Sequence, residues 1–363
     1  MSAIPAEMNA LIVEGHGKVA LQKVPTPKLL PSTVIVKVTN VALNPTDWKH
    51  LHFFGKTGAT LGSDFSGVVA AVGDGVSGPV NVGDRVSGTV HGGWTPGQGA
   101  FAEYVLTAPA RLTTLPDNIS NIDGAGIGIG GMTAIVALFQ SKHLGLPFPT
   151  IPLSSPPPAV DSSKKLLVWS GASSVGQFAV QLGRLAGYYV IATSSPKNFE
   201  WLKDLGASET YSYADEQTPE AIAKTHPDLA HALDTYSENG SQEACARALS
   251  KNGAKLAVIL GPSPRVKEIN PSVQTSFVLL YTMSGQETNM YGTKFDTEYC
   301  QEDAAFAISL QSGREGKYYK LLSSGIKPNR GAAQEGGLAA IPEGLEKQRT
   351  GKVSGEKLLY TIQ

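Results

Sequence analysis

Residues 166–176 read LLVWSGASSVG, and this short stretch decides the fold of the second half of the chain. A run of apolar residues leads into a glycine-containing turn, and the amphipathic segment QFAVQLGRLAG (177–187) continues from it. Such a short apolar run is typical of a buried strand, and the periodicity that follows is typical of a helix. The stretch therefore predicts a strand, a tight turn and a helix, the unit from which parallel sheets are built.

The same rhythm continues downstream. Three further apolar runs, YYVIATS (188–194), HALDTY (231–236) and KLAVIL (255–260), alternate with helical segments near 197–205 and 242–249. Apolar strands separated by helices of this length indicate a doubly wound parallel sheet covered on both faces. We therefore predict an α/β Rossmann domain over residues 132–309.

Upstream, residues 34–105 contain short β-branched runs such as VIVKV (34–38), separated by Gly, Pro and Asp turns, and this pattern predicts a β-rich domain. A Pro/Ser-rich insertion at 146–165 is predicted to be an exposed loop. A long polar helix is predicted over 302–323. The closing strand KLLYTI (357–362) is expected to return to the β-rich domain, which then comprises residues 1–131 and 310–363.

The composition bears on partners and location. The chain has 363 residues, 41% of them apolar, and a formal net charge of −1, so no electrostatic excess favours nucleic acid or an anionic membrane. Two cysteines are too few for a disulfide framework. The N-terminus lacks the pattern of a secretion signal, and no apolar run is long enough to span a membrane. We therefore expect a cytoplasmic protein that binds a small molecule or a protein.

The turn at 171–176 carries the first functional signal. Glycine permits a close backbone approach to a pyrophosphate, and the N–H groups at a helix start attract anions. Ser173 stands where the G-x-G-x-x-G pattern has its second glycine, so a plain strand-turn-helix without a ligand is an alternative.

The end of the next strand bears on the choice of cofactor. NAD enzymes usually place Asp or Glu there to bind the ribose 2′-hydroxyl, but this chain has Ser195 and Lys197 and no acid. Hydroxyls and a lysine suit a 2′-phosphate, so the sequence favours NADPH. An ordinary turn followed by a helix cap is the alternative.

Further motifs identify a family resemblance. GSDFSGVV (62–69), VG (72–73), VGDRV (82–86) and GAFAEY (99–104), together with residues 170–176, resemble medium-chain dehydrogenases/reductases in order and spacing over nearly the whole chain. The resemblance implies an oxidoreductase of the α/β class, with a Rossmann doubly wound parallel sheet and a GroES-like β-rich substrate domain.

Zinc-dependent members of that family carry a ligand cysteine, a Gly-His-Glu sequence and a four-cysteine lobe. This chain has NPTD (44–47) and GSD (62–64) at the first two places and no lobe, so we expect no metal. Asp47, His50 and His52 lack a further thiol or imidazole nearby in sequence, which disfavours a metal site among them. Without a Lewis acid to polarise a carbonyl, reduction of an activated C=C bond is the favoured chemistry.

A narrower resemblance rests on NPTDWK (44–49), the insertion at 146–165, SPKNF (195–199) and VSGEKL (353–358). These stretches are similar to fungal trans-acting enoyl reductases, separate proteins that serve polyketide synthases or polyketide synthase/peptide synthetase hybrids. The resemblance implies NADPH-dependent reduction of the α,β-unsaturated thioester of an intermediate held on an acyl carrier domain. A soluble quinone or enone reductase and a non-catalytic NADPH-binding scaffold stay open as alternatives.

The resemblance also implies roles for individual residues. Lys49 is a catalytic candidate for ribose contact or proton relay, unless it is a solvated surface lysine. Thr133, expected to begin a helix, is a candidate for the nicotinamide amide, unless it is only a helix N-cap. No side chain is compelling as a general acid.

The remaining assignments follow the cofactor from end to end. Residues expected beside the cofactor are Thr46, Asp47, Trp48, Lys49 and Thr133 at the nicotinamide half, Ala172, Ser173, Ser174 and Val175 at the pyrophosphate, Ser195, Pro196, Lys197 and Asn198 at the 2′-phosphate, Tyr213 at the adenine, and Leu260 and Gly261 at the sheet edge. Val353 and Ser354 are expected to close the cofactor site. Candidate substrate residues are Thr133, Ala134, Ile135, Val136, Leu280, Tyr281, Thr282, Met283 and Ser284.

The oligomeric state is the last expectation. Many relatives join their sheets through an edge strand, which is predicted here near Phe277–Met283. The polar stretch Ser284–Asp303 follows and is expected to cover that edge, as protected edges are covered. The sequence therefore predicts a monomer.

Overall fold

The computed structural model describes residues 3–76, 78, 80–153, 158–311 and 313–362. The chain divides into two compact units, one formed by Met1–Ile129 with Ala307–Gln363 and the other by Gly130–Phe306. Residues 1 and 363, the ends of the predicted substrate domain, and residues 154–157 of the predicted insertion lie outside the described residues.

The first unit begins with strands and two short helices. They are β1 (Glu7–Gly15), β2 (Lys18–Pro25), β3 (Val34–Ala42), α1 (Pro45–Lys49) with a π-helical continuation at His50–Phe54, β4 (Asp64–Val72), β5 (Arg85–Thr89), β6 (Tyr104–Thr107), a 3₁₀ turn at Pro109–Arg111, β7 (Leu112–Thr114) and α2 (Asn121–Ala125).

Strands and helices then alternate from residue 128 to residue 310, which includes the whole second unit. They are α3 (Gly128–Phe139), β8 (Asp161–Trp169), α4 (Ser174–Leu185), β9 (Tyr188–Ser194), a 3₁₀ turn at Pro196–Asn198, α5 (Phe199–Asp204), β10 (Glu209–Ser212), α6 (Thr218–Thr225), β11 (His231–Asp234), α7 (Ser241–Ala248), β12 (Lys255–Val258), α8 (Arg265–Ile269), β13 (Gln274–Phe277), a 3₁₀ turn at Leu280–Ser284, β14 (Thr288–Met290), β15 (Thr293–Phe295) and α9 (Thr297–Leu310).

The last segments return to the first unit. They are a 3₁₀ turn at Gly313–Glu315, α10 (Lys317–Ser323), β16 (Gly331–Gln334), α11 (Gly337–Arg349) and β17 (Lys357–Thr361).

The second unit is built on a six-stranded sheet in the order β10-β9-β8-β11-β12-β13, and every adjacent pair is parallel. Leu166, Leu167 and Val168 of β8 are fully buried, which explains why this strand is apolar on both faces. The strand order reverses between β8 and β11. In open α/β sheets, ligands bind at the carboxyl ends of the strands at such a reversal.

The first unit is built on a seven-stranded sheet in which β17 pairs antiparallel with β3 and parallel with β16. Leu359 of β17 lies opposite Ala42 of β3. The core on this sheet includes Phe65, Leu112 and Tyr360, all buried. Strand β17 thus joins the sheet that β3 to β7 form, whereas β1 and β2 pair with each other in a separate two-stranded sheet.

Three predicted segments are wrong. The single helix over 302–323 is two helices, α9 and α10, because Gly313 adopts a left-handed backbone (φ 55°) that a helix cannot continue through. Residues 161–165 belong to β8 and not to a loop, since the N–H of Asp161 donates to the Gly187 carbonyl at 2.9 Å. The edge strand ends at Phe277, and Leu280–Ser284 form a 3₁₀ turn that ends at Gly285 with φ 75°.

Among the residues that the structure describes, no helix is both long and apolar enough to cross a membrane.

Candidate active site

The turn between β8 and α4 has the geometry of an anion site. Ser173 caps α4, and its hydroxyl oxygen accepts a hydrogen bond from the Gly176 N–H at 2.9 Å. A Cβ on Gly176 would lie 2.6 Å from the carbonyl oxygen of Gly171, so this close approach requires glycine. The first-turn N–H groups of a helix have no intrahelical acceptor, and the positive end of the dipole lies there. Ala172, Ser173, Ser174 and Val175 therefore surround a place suited to a pyrophosphate.

The strand reversal brings a further hydroxyl to this turn. The Ser173 hydroxyl donates to Thr235 Oγ1 at 2.8 Å, and the Thr235 hydroxyl lies 2.7 Å from the Trp169 carbonyl oxygen. Thr235 follows β11 directly, and the sequence analysis missed it. The sequence could have pointed to Thr235, because a polar residue directly after an apolar strand lies at the carboxyl edge of a parallel sheet, where ligands bind.

Asp234 beside it is fully buried and was also missed. Its carboxylate accepts from the Ser241 hydroxyl at 2.6 Å and from the N–H groups of Ser237 and Tyr236 at 2.9 and 3.0 Å. Burial raises the pKa of Asp234 to about 6 in spite of these donors. The residue fixes the loop after β11 rather than facing solvent.

The end of β9 presents hydroxyls and a cation. The Ser195 and Tyr213 hydroxyls lie 2.7 Å apart, and Lys197 is exposed in the 3₁₀ turn that follows, with Pro196 also exposed. Asn198 is buried. Ser195 and Tyr213 thus form a hydroxyl pair at this strand end, and the sequence 195–198 that follows β9 contains a lysine and no acidic residue.

Leu260 and Gly261 lie after β12 at the same edge of the sheet. The Gln242 side-chain amide donates to the Gly261 carbonyl oxygen at 3.0 Å. A Cβ on Gly261 would lie 3.1 Å from the Cβ of Tyr291, so a larger residue there would displace this tyrosine. Both residues are half-buried.

The segment Leu280–Ser284, assigned to substrate, is held from inside the second unit. Thr282 is buried, and its hydroxyl donates to the Asp303 carboxylate. Asp303 also accepts from Lys142 Nζ at 2.9 Å and from the Gln140 amide at 2.6 Å. Leu280, Tyr281 and Met283 are half-buried and Ser284 is exposed, so Thr282 is the anchor and its neighbours form the accessible surface.

Thr133 lies inside α3, which begins at Gly128, so the expectation that it begins a helix is wrong, and so is the N-cap alternative. Its side chain is buried, as are Ala134, Ile135 and Val136. In the first turn of α3, the Ile129 N–H donates to the Asp64 carboxylate at 2.8 Å. Contact of these four residues with nicotinamide or substrate stays a prediction.

In the first unit, α1 carries the residues assigned to the nicotinamide. The Asp47 carboxylate accepts from the Asn44 N–H and from the Ser63 hydroxyl, both at 2.7 Å. Burial raises the pKa of Asp47 to about 7. Because Asp47 is 1% exposed and bonded within the fold, its role is to hold the start of α1.

A second buried carboxylate reinforces this helix start and was missed by sequence reasoning. Asp64 accepts from the Asn44 side-chain amide at 2.9 Å, from Lys357 Nζ at 3.0 Å and from the Ile129 N–H at 2.8 Å. Lys357 Nζ also donates to Asn44 Oδ1 at 2.7 Å. Asp64 and Lys357 are 0% and 2% exposed. Asp64 is the first residue of β4 and Lys357 the first residue of β17. A charged residue at the start of an apolar strand was therefore the sequence signal that could have pointed to this pair.

Lys49 is buried at 8% exposure, so the alternative of a solvated surface lysine is wrong. Its ammonium lies 5.5 Å from the centroid of the half-buried Trp48 ring, a distance suited to a cation–π contact. Thr46 is half-buried one turn earlier. Near the end of the chain, Val353 packs on the core of the first unit and Ser354 is exposed.

His50 follows Lys49 and contacts another histidine. His50 Nε2 lies 2.9 Å from His91 Nε2, and His50 Nδ1 lies 2.8 Å from the Thr46 carbonyl oxygen. Within the described part of the chain, no group of three or more His, Cys, Asp or Glu side chains is arranged to hold a metal ion.

Comparison with known proteins defines the class first. Residues 30–117 match the alcohol dehydrogenase GroES-like domain. A quinone oxidoreductase from Coxiella burnetii superposes with a TM-score of 0.69 at 24% identity, covering 98% of this chain and 100% of that one. The CurK enoyl reductase superposes with a TM-score of 0.72 at 20% identity, and the superposition covers 98% of this chain and 99% of the CurK chain. With the Rossmann sheet, these matches show the fold of a medium-chain dehydrogenase/reductase, as the sequence predicted.

The particular family follows from closer relatives. A trans-enoyl reductase from Alternaria alternata is 35% identical over 98% of this chain and 98% of its own length. Another trans-enoyl reductase, from Aspergillus niger, is 34% identical over 99% of this chain and 98% of its own length. The chain belongs to the trans-enoyl reductase family, and it is an oxidoreductase that acts on C=C bonds.

Proposed function

We propose that this protein is an NADPH-dependent, trans-acting enoyl reductase. Its substrate is the α,β-unsaturated thioester of a polyketide intermediate on the acyl carrier domain of a polyketide synthase or a polyketide synthase/peptide synthetase hybrid. The observation that carries the proposal is similarity to trans-enoyl reductases along the whole chain. The proposal places the enzyme in the cytoplasm.

The residues at the carboxyl edge of the Rossmann sheet fit the dinucleotide. The α4 N-terminus with Ser173 suits the pyrophosphate, and the Ser195 hydroxyl with the exposed Lys197 suits a 2′-phosphate. A carboxylate at this strand end would favour NAD, and none stands in SPKN (195–198). The donor set therefore supports NADPH over NADH.

The chemistry divides between cofactor and protein. When bound, the nicotinamide supplies a hydride for the β-carbon of the conjugated thioester. The negative charge that develops on the thioester oxygen is stabilised by hydrogen-bond donors held in place before the reaction. Lys49 and Thr133 are the catalytic candidates. Lys49 is the stronger, because its buried position on α1 restricts its motion and removes competing water.

The acyl chain requires an apolar wall. The half-buried Leu280, Tyr281 and Met283 supply one, and the Thr282 to Asp303 hydrogen bond holds their backbone in place. We assign this segment to the part of the intermediate beyond the reacting double bond.

The test compares substrates and one variant. Purified protein is mixed with NADPH and crotonyl-pantetheine, a crotonyl-loaded carrier domain, or a benzoquinone, and NADPH oxidation is followed optically. We expect turnover on the thioesters, faster on the carrier domain. Lys49→Met should lower kcat by about 10²-fold, the lower end of the effect of removing one hydrogen-bond donor to a developing oxyanion.

Two other outcomes would replace the proposal. Turnover on the quinone alone would make the protein a quinone reductase. NADPH binding without turnover on any substrate would favour a non-catalytic scaffold. Lys18→Met, which alters an exposed lysine on β2, serves as the matched control and should retain full activity.

A further inference from the structure

A set of aromatic side chains in the first unit lies in one unbroken series of ring contacts, which we call the aromatic ribbon. In order, its members are Trp94, His91, His50, Phe54, Phe53 and Trp48. The ring centroids of neighbouring members lie 4.9 to 6.3 Å apart, within the range of attractive aromatic pairs. Trp94 follows β5 and Trp48 lies on α1, so the ribbon runs from the loop after β5 to α1.

Part of the aromatic ribbon is exposed to solvent. Phe53 is 62% exposed, which is the largest fraction among the large hydrophobic side chains that the structure describes. Trp48, Phe54 and Trp94 are half-buried, whereas His50 is buried. Because each ring is held by its neighbours, a ligand that covers the rings immobilises few additional side chains. A contiguous, partly exposed apolar surface of this kind is typical of a binding site.

Lys56 supplies a positive charge at the Trp94 end of the ribbon. Its ammonium lies 4.2 Å from the centroid of the Trp94 ring, which is a cation–π contact, and Lys56 is exposed. The segments 48–63 and 85–102, which contain the whole ribbon, have no Asp or Glu in their sequence. An anionic ligand at this end would therefore meet no acidic residue of either segment.

The titration of His91 shows the same positive charge. Its pKa is lowered to about 3 by burial, by the neighbouring His50, and by the charges of Arg111 and Lys56. Two cations therefore lie close enough to act on one imidazole at this end of the ribbon. An anion bound there would be attracted by both charges.

These features match the chemistry of a phosphopantetheine arm, the group through which carrier domains hold acyl thioesters. The arm begins with a phosphodiester anion, which is followed by a gem-dimethyl group and then by amides that lead to the sulfur of the thioester. A cation held over an indole suits the anion and the neighbouring dimethyl group together. Half-exposed rings suit the thin, largely apolar remainder of the arm.

We propose that Lys56 and the aromatic ribbon bind the phosphopantetheine arm of the carrier domain, with the phosphate at Lys56 and the thioester end directed toward α1. This inference rests on the proposed function, which places the thioester near Lys49, the residue that follows Trp48 on α1. It adds a binding site for the part of the substrate between the carrier domain and the reacting double bond.

The first experiment measures binding without reaction. Free 4′-phosphopantetheine is titrated into the protein, and the indole N–H resonances of the four tryptophans are followed by NMR. The resonances of Trp48 and Trp94 should shift. Pantetheine, which lacks the phosphate, should bind about 5-fold more weakly, which is the effect of an exposed ion pair of about 1 kcal/mol. A shift of Trp169, directly before the turn to α4, with an unmoved Trp94 would overturn the site.

Lys56→Met tests the phosphate contact, because it removes the cation and keeps a long apolar side chain at Trp94. In this variant phosphopantetheine should bind no better than pantetheine, since only the phosphate loses a partner. Lys224→Met changes an exposed lysine on α6 of the second unit and is the matched control, which should keep the full difference. An undiminished preference for the phosphate in Lys56→Met would overturn the assignment.

The second experiment tests the reaction with the crotonyl thioesters of pantetheine, phosphopantetheine and the carrier domain. In the wild type the KM for the pantetheine thioester should exceed the KM for the phosphopantetheine thioester by about 5-fold. In Lys56→Met this ratio should fall to about one, and high salt should lower it in the wild type. Phe53→Ala should raise KM for all three substrates by a similar factor, because the exposed ring contacts the arm and not the phosphate.

The outcomes separate the two proposals. If the wild-type protein reduces the thioesters and Lys56→Met has the same ratio of KM values, the arm site is wrong and the enoyl reductase stands. A rise in KM confined to the carrier-domain substrate would mean that Lys56 contacts the protein surface of the carrier domain, and it would also overturn the arm site. If the wild-type protein reduces no thioester but phosphopantetheine still shifts Trp94, the proposed function falls and the binding site stands.

Discussion

The hydroxyl of Ser195 lies 2.7 Å from the hydroxyl of Tyr213, which joins the carboxyl ends of β9 and β10. Ser195 is thereby held at the strand end to which our proposal assigns the 2′-phosphate. Lys197 is exposed two residues further on. This arrangement makes cofactor preference the most direct test of the site.

Ser195→Ala combined with Lys197→Ala should weaken NADPH binding far more than NADH binding, because only NADPH has the 2′-phosphate. Each lost charge-assisted hydrogen bond is expected to cost about 1.5–3 kcal/mol. Titration calorimetry with both cofactors measures the difference. Lys203→Ala, which removes a lysine paired with Glu200 on α5, is the control. An equal loss for the two cofactors would contradict the assignment.

Asp47 should make stability depend on pH. Its pKa is about 7 when folded and 3.8 in the unfolded reference, so between these values the folded protein retains a proton that the unfolded chain releases. The contribution of Asp47 to the free energy of unfolding is therefore complete below pH 4 and falls by about 1.4 kcal/mol per unit as the pH rises toward 7.

Asp47→Asn cannot titrate, so its stability relative to the wild type should rise from pH 5 to pH 7. Urea unfolding at several pH values measures the difference between the free energies of unfolding of the variant and the wild type. The contributions of the other titrating groups cancel in this difference, because both proteins contain them. Asp74→Asn, at an exposed position, is the control. A constant difference across the range would show that Asp47 is ionised in the folded protein.

The buried pair of Asp64 and Lys357 should be strongly coupled. Lys357→Met leaves the Asp64 carboxylate without its cation, and Asp64→Asn leaves the ammonium without its anion, so each should destabilise by about 3–5 kcal/mol. The double variant should lose much less than the sum. The exposed pair Glu343 and Lys347, with Nζ 2.9 Å from Oε1, is the control and should couple by about 0.3–0.5 kcal/mol. Additive losses at Asp64 and Lys357 would exclude the coupling.

Activity should not require a metal. The chain has NPTD (44–47) and GSD (62–64) where zinc-dependent relatives have ligands. Turnover should survive exhaustive chelation, and elemental analysis should find less than one zinc per chain. Chelator-sensitive turnover with one tightly bound zinc would refute this expectation.

The protein should be a monomer. The edge strand β13 ends at Phe277. The ring centroid of Phe277 lies 5.5 Å from that of Phe295 in the β14–β15 hairpin and 6.1 Å from that of Tyr291 at the tip of this hairpin. This hairpin lies within the predicted covering stretch and packs at the end of the edge strand, where a second sheet would have to pair. Sedimentation at micromolar concentration should find one species near 38.1 kDa. A species of roughly twice that mass would refute both the monomer and the covering role.

The sequence by itself determined what depends on neighbouring residues. The apolar run at 166–168, Gly171 and Gly176 predicted a strand, turn and helix, because burial and close backbone approach are decided within a few residues. The same local logic failed at Gly313 and at Leu280–Ser284, where a left-handed glycine and a 3₁₀ turn replaced the regular element that the pattern indicated.

Only the tertiary structure decided which distant polar groups meet. Ser173 and Thr235 are separated by 62 positions, His50 and His91 by 41, and Asp64 and Lys357 by 293. A buried polar group must find a hydrogen-bond partner, but the sequence does not say which one, since strand order and helix packing bring the candidates together. That is why residues 44–49 could be assigned from their motif, whereas the carboxylate, the lysine and the second histidine that hold them emerged only once the chain was folded.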